Sequence, residues 1–274
     1  MSDRKPAPAT LPPKAEANPA RRAFIAAASA AGAGLAGLGF TAIAPGLHLM
    51  AVGEANAATG DAARKAGEAA SPAVRWGLLV DANKCTPGCT KCVEACHTEN
   101  GVTETLADKR QASQWIRKIE LTDRRNGRKT ELPMMCQHCA KPPCVDVCPT
   151  GASMKRADGI VLVDRHICIG CRYCMMACPY KARSLVHIPL TGENQNQNPL
   201  VPRGQGCVES CTLCVHRVDR GQQPACVEQC PQGAMLFGDL NDPRSAIAKR
   251  IASVPTTEVR GDLRLDLGVR YQGI

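Results

Sequence analysis

Apolar and polar positions alternate along Val74-Arg75-Trp76-Gly77-Leu78-Leu79-Val80-Asp81, a period of two that predicts a first strand. Trp115 to Leu121 and Thr130 to Leu132 read as two further strands. They flank Arg124-Arg125-Asn126-Gly127-Arg128-Lys129, whose Asn-Gly pair marks a tight hairpin turn. A second, shorter hairpin is expected from Ser153 to Arg156, a turn at Ala157-Asp158-Gly159, and the β-branched run Ile160-Val161-Leu162-Val163. Tyr173 to Ala177 resembles a short helix, Gly233 to Leu240 a closing strand, and Ser245 to Ser253 a short amphipathic helix in a tail that docks on a partner or covers the core.

Between these short elements the chain is punctuated by cysteine, 17 in 274 residues, while aromatic residues make up only 3%. Cys168, Cys171, Cys174 and Cys178, followed by Pro179, form the C-x2-C-x2-C-x3-C-P run of bacterial ferredoxins, in which three cysteines hold one [4Fe–4S] cluster and the fourth reaches another. That crossing calls for a partner, present upstream as Cys136, Cys139, Cys144 and Cys148 with Pro149. Cys85, Cys89, Cys92 and Cys96 form a third motif, widened by one residue before Cys89. Cys211, Cys214, Cys226 and Cys230 with Pro231 form a fourth, which mirrors the third across the whole central region.

The fold class expected is therefore α+β: two nested two-cluster ferredoxin-like modules with small hairpins and short helices. The outer module spans residues 74–132 and 179–240, the inner one residues 133–178, with an extension over 241–274. Sixteen cysteines serve four [4Fe–4S] clusters, and Cys207 is left over, either a competing ligand or a spare buried thiol. Closely spaced cysteines on a tight loop supply three thiolates, and Gly170 lets the backbone approach the cluster. A zinc site would want two C-x2-C pairs and no trailing Cys-Pro, and disulfides do not explain triplets. Covalent haem needs C-x2-C-H, whereas Cys92 to His97 reads C-x3-C-H. With so little aromatic side chain, cluster ligation is expected to supply part of the folding free energy.

The first 57 residues read as a twin-arginine export signal: Arg21-Arg22-Ala23-Phe24-Ile25 opens an uncharged Ala/Gly/Leu stretch that runs to Val52, and Ala55-Asn56-Ala57 follows as the small-residue cleavage site. Cleavage is expected after Ala57, with residues 58–73 as a linker. The alternative is an uncleaved anchor, since the uncharged run is long enough to span a bilayer. Export of the folded protein reconciles many cysteines with a periplasmic address, because clusters are built in the reducing cytoplasm first. The net charge of +9 becomes +7 after cleavage, from 29 basic and 22 acidic residues. Its densest basic run sits on the Asn-Gly hairpin tip, which reads as a solvated loop and not a nucleic-acid site.

The four-motif order, the twin-arginine start and segments such as CQHCAKPPCVDVCP and CTLCVHRVDRGQQPACVEQCP resemble the four-cluster electron-transfer subunits of membrane oxidoreductases, including DMSO, polysulfide and nitrite reductase systems. Within that family, DGIVLVDRHICIGCRYCMMACPYKARS, CTPGCTKCVEACHTENG and CVESCTLCVHR are most similar to the DsrO-type periplasmic iron–sulfur subunits of DsrMKJOP complexes in dissimilatory sulfur metabolism. The resemblance implies that Cys85, Cys89 and Cys92 share a cluster with Cys230, and Cys211, Cys214 and Cys226 with Cys96. In the inner module it implies Cys136, Cys139 and Cys144 with Cys178, and Cys168, Cys171 and Cys174 with Cys148. The clusters should form a row between partners at opposite ends. Those partners are an NrfD-like (DsrP-like) integral membrane subunit that interacts with quinone and a multihaem (DsrJ-like) cytochrome c, alongside DsrMK-like subunits.

No catalytic residue is expected. Every cluster has four candidate cysteines, no nucleotide-binding glycine motif is present, and His97, His138 and His216 read as neighbours of ligands and not as ligands. Tyr173 and the Met175-Met176 pair read as packing around a cluster. The expectation is a non-catalytic electron conduit, with its direction left open because cluster potentials span about −700 to +450 mV with burial and hydrogen bonding; the alternative is the electron-transfer subunit of a catalytic complex, a molybdopterin oxidoreductase, hydrogenase or nitrite reductase.

Overall fold

The computed structural model describes residues 64–65, 68–102, 111–190 and 198–274. The proposed export signal lies outside the described residues. In chain order the strands are β1 (Trp76–Asp81), β2 (Ile116–Thr122), β3 (Lys129–Met135), β4 (Ser153–Lys155), β5 (Val161–Val163), β6 (Ser184–Leu185), β7 (Val208–Glu209), β8 (Met235–Asp239) and β9 (Val269–Gln272). The helices are α1 (Lys91–Asn100), α2 (Pro143–Asp146), α3 (Tyr173–Ala177), α4 (Val215–Val218), α5 (Ala225–Glu228) and α6 (Ala246–Ser253).

β1 is the centre of a three-stranded sheet ordered β8-β1-β9. It pairs antiparallel with β8, Leu78 opposite Phe237, and parallel with β9, Leu78 opposite Val269. Leu78, Leu79 and Val80 are all buried, so both faces of the strand are covered. On one side α6, capped by Ser245, whose side chain accepts from the Ala248 N–H, lays Ile247 against Gly238. A Cβ at Gly238 would meet Ile247 Cγ2 at 2.9 Å, so the missing side chain is what admits the helix.

The tail is not an accessory. It supplies β9, and Tyr271 is wholly buried, with its hydroxyl donating to Pro133 O at 3.2 Å and Gln137 Nε2 donating to it at 3.2 Å. One side chain thus ties the last strand to β3 and to the loop between Cys136 and Cys139. The sequence reading missed this strand; the four-residue alternation Val269-Arg270-Tyr271-Gln272 was its one signal.

The two predicted hairpins form. β2 and β3 pair from Ile116 opposite Met135 to Thr122 opposite Lys129, with Gly127 at φ +70 in the turn. Their root, Trp115, Ile116, Leu132, Met134 and Met135, is buried, and their basic tip is exposed. In the second hairpin Met154 faces Leu162 across a turn with Gly159 at φ +88. Arg156 of that turn bonds Asp158 and, at 2.8 Å, Asp219 beyond α4; Arg64 reaches the same Asp219 at 2.9 Å. The stretch read as a linker is therefore held to the body at Arg64. A second brace is the buried pair Arg203–Glu209 at 2.6 Å, with Arg203 also donating to Gly101 O at the end of α1.

Candidate iron–sulfur sites

Each cysteine motif lies where a regular element gives way to a loop. β1 ends in a single 3-10 turn, Ala82–Lys84, that delivers Cys85. Gly88 at φ +74 turns the widened loop, its N–H donating to Glu131 Oε2 at 2.9 Å, and Cys89 follows. Cys92 and Cys96 are one turn apart on α1, on the same face of the helix. Two neighbouring sites can therefore be served from one helix.

That is how the cysteines are placed. Cys85, Cys89, Cys92 and Cys230 line one hollow, with Lys84, Lys118 and Gln232 at its edge. Cys96, Cys211, Cys214 and Cys226 line a second, walled by Leu78, Trp115, Ile116 and Met135. Cys136, Cys139, Cys144 and Cys178 line a third, beside Tyr180 and Arg183. Cys174 has Cys148 and Cys168 as neighbours, with Cys171 on the same loop, so the remaining four share a fourth location. Among the described residues, no three His, Cys, Asp or Glu side chains converge on a point suited to a single ion. Sulfurs around a hollow suit a polynuclear cluster and not a lone zinc.

The quartets also follow one another. Cys226 lies within electrostatic reach of Cys92, Cys211 of Cys136, and Cys144 of Cys174. Their order is Cys85/89/92/230, then Cys96/211/214/226, then Cys136/139/144/178, then Cys148/168/171/174.

Several sulfurs already accept hydrogen bonds from the protein. The N–H groups of Ser153, Val208, Leu213 and Ala234 donate to Cys148, Cys168, Cys211 and Cys230 at 3.3–3.5 Å, and Asn100 Nδ2 donates to Cys96 at 3.6 Å. Burial pushes the Cys92 thiol up to about 11 and those of Cys136 and Cys139 up to about 12. At Cys148 burial also works upward, but hydrogen bonds from Ser153 and Thr150 outweigh it and hold the thiol below its ordinary value. Four mutually close, desolvated thiols are disfavoured as bare thiolates, and this donor set fits a cationic iron core whose uptake releases protons.

The other residues singled out in the sequence divide. His138 is buried at φ +44, its Nδ1 accepting from the Val161 N–H at 3.0 Å, and His216 Nε2 lies 2.8 Å from Glu99 Oε1; both neighbour cysteines. Of the residues read as packing around a cluster, Met175 turns inward, while Tyr173 and Met176 are 54% and 67% exposed. Ile167 and Ile169 on the same loop are also exposed. A helix of barely more than one turn cannot bury every apolar side chain it carries. Gly170, at φ +66, is required by a different neighbour: a Cβ there would lie 2.3 Å from Gly206 O. Cys207 is half-buried and not enclosed, its thiol donating to Arg165 O at 3.3 Å close to Cys168. Two cations went unnoticed in the sequence, Lys118 beside Cys85 and Cys92, and Arg183 beside Cys136, Cys144 and Cys174. For Arg183 the available signal was its place just after Cys178-Pro179.

The 4Fe-4S dicluster domain profile matches residues 129–188 and 196–240. The chain is 42% identical over 223 residues to the Hdr-like menaquinol oxidoreductase iron-sulfur subunit 1 of Archaeoglobus fulgidus, covering 72% of this chain and 82% of that one. It is 39% identical to a subunit of the tetrathionate reductase of Salmonella typhimurium, over 65% and 63% of the two chains. It is 35% identical to the iron-sulfur cluster-binding subunit of menaquinone reductase from Nitratidesulfovibrio vulgaris, over 64% and 79%. With its α+β fold, its quartets of thiols around hollows and these matches, the chain belongs to the 4Fe-4S ferredoxin family of iron–sulfur electron-transfer subunits of oxidoreductases, and its cofactors are four [4Fe–4S] clusters.

Proposed function

We propose that this chain is a non-catalytic, periplasmic electron-transfer subunit that relays electrons between a membrane subunit interacting with quinone and a multihaem cytochrome, in a DsrMKJOP-like complex of dissimilatory sulfur metabolism. The observation that carries the reading is the unbroken succession of cysteine quartets, each with a sulfur close to the next. The ligand sets are those quartets, in two nested modules: Cys85, Cys89, Cys92 with Cys230 and Cys211, Cys214, Cys226 with Cys96 outside; Cys136, Cys139, Cys144 with Cys178 and Cys168, Cys171, Cys174 with Cys148 inside. Bound there, the clusters supply one-electron carriers; the protein holds them in line and solvates their charge.

The two ends of the row differ in chemistry. Around Cys168 and Cys174 stand the exposed Ile167, Ile169, Tyr173 and Met176, whereas the far quartet is edged by Lys84, Lys118 and Gln232. Four exposed apolar side chains on one loop favour a covered surface in the assembly, and we assign the integral membrane subunit to that end and the cytochrome to the polar one. A menaquinol oxidoreductase subunit among the relatives supports a quinone-linked partner. The twin-arginine segment ending at Ala57 supports the periplasmic address.

The test is to purify the tagged full chain with its partners from detergent-solubilised membranes, add a menaquinol analogue, and follow cluster EPR together with haem absorbance. Cluster reduction by the quinol coupled to a change in haem redox state is the expected result. A molybdopterin-bearing partner with no haem would move the chain to a catalytic reductase complex, the alternative its tetrathionate reductase relative favours. Amino-terminal sequencing of the periplasmic form should begin at Ala58.

A further inference from the structure

Arg183 occupies a place where a cation is expensive. It is 5% exposed, and its Nη1 and Nη2 are buried with no hydrogen-bond partner among nitrogen and oxygen atoms. Among the described residues no carboxylate pairs with it; its charged neighbours are Cys136 and Cys144 of one inner quartet and Cys174 of the other. Arg203 and Lys118, by contrast, are compensated, Arg203 by Glu209 at 2.6 Å and Lys118 by Glu131 at 3.5 Å. A guanidinium does not deprotonate to escape burial, so it persists only where negative charge faces it. Cysteinyl clusters on both sides supply that charge.

We propose that Arg183 is a tuning residue set between the two inner clusters, its Nη1 and Nη2 donating to cluster sulfur and its charge raising the reduction potential of both. The inference rests on the ligand sets proposed above. Its physics is one-sided: adding an electron makes a cluster more negative, so a fixed cation alongside stabilises the reduced form more than the oxidised one. Hydrogen bonds to sulfur act in the same direction. No bond forms or breaks and no proton moves at Arg183; one electron arrives and later leaves. Among the described residues no such buried, uncompensated cation neighbours the outer quartets, so the inner half of the row is where an electron is held most firmly.

The experiment compares the anaerobically purified full chain with Arg183→Met, measuring iron, sulfide and EPR-monitored potentiometric titrations on the same samples. Iron and sulfide at the four-cluster level establish the clusters independently of their tuning. Arg183→Met is expected to lower two of the four midpoint potentials by a tenfold or larger change in the reduction equilibrium, 59 mV per tenfold for one electron, with the other two nearly still. Full iron with all four potentials unmoved, or all four moved alike, overturns the proposal. Should Arg183→Met fail to assemble, Arg183→Gln keeps N–H donors without the charge and Arg183→Lys keeps the charge without the fork. Inner potentials lower in the Gln variant than in the Lys variant support the assignment, and equal ones overturn it.

Discussion

Gly170→Ala tests how the Cys168–Cys178 motif is held in place. Gly170 adopts φ +66, and its missing Cβ would lie 2.3 Å from Gly206 O and 3.4 Å from Gly206 C. The Gly206 N–H donates to Val186 O at 2.8 Å, and the Val186 N–H donates to Cys207 O at 3.0 Å, so the obstructing carbonyl belongs to a braced segment that cannot swing aside freely. Two costs combine. A left-handed conformation costs a residue with a Cβ about 1–2 kcal/mol, and forcing a methyl into packed backbone costs about 1–3 kcal/mol. The substitution should therefore destabilise by about 2–5 kcal/mol, which for a domain of this size lowers the melting temperature by at least about 4 °C. The backbone that yields carries Cys168 and Cys171, so iron should be lost from that quartet. Gly206→Ala is the control: it sits at φ +76 with nothing within 4 Å of the place its Cβ would take, so it bears the conformational cost alone. Anaerobic thermal melts with iron and sulfide assays on both variants decide the matter. Equal melting temperatures and equal iron in the two would refute the steric argument.

Cys174→Ala should remove one cluster, lowering iron by about a quarter of the roughly sixteen atoms that four cubanes hold, while Cys207→Ala should leave iron unchanged; iron analysis beside EPR reads both. Arg203→Met strands Glu209 in the interior and should cost about 3–5 kcal/mol in denaturant unfolding, whereas Arg203→Met/Glu209→Leu should recover most of that loss. Ile169→Asp combined with Met176→Asp, both at exposed positions, should keep full iron yet release the chain from its membrane partner, seen as a shift from the membrane to the soluble fraction on gradient separation. Retention in the membrane would place the partner elsewhere.

The residues that announced themselves did so through short-range pattern. The Asn126-Gly127 turn with its flanking alternation, the Ser153–Val163 hairpin and the Tyr173–Ala177 helix each depend on neighbours a few positions away, and each forms as its pattern implies. Cysteine spacing is equally local, because a loop that must bend around a cluster fixes how far apart its sulfurs lie along the chain. What lay beyond reach depends on partners distant in sequence. β9 is four residues long and becomes a strand by parallel pairing with β1, nearly the whole described chain away, and Tyr271 is buried by what folds over it. Gly170 looks in sequence like a concession to a cluster, yet Gly206 is the backbone it makes room for. Tyr173 and Met176 share the apolar character of buried neighbours, and a one-turn helix has too few faces to cover them. Arg183 reads as one more basic residue after a motif; its meaning comes from the absence of any acid beside it among the described residues, and that is settled by how two separate cysteine motifs close around one guanidinium. Periodicity and ligand spacing are written into a few adjacent residues, whereas burial and charge compensation belong to surfaces that exist once the chain has packed.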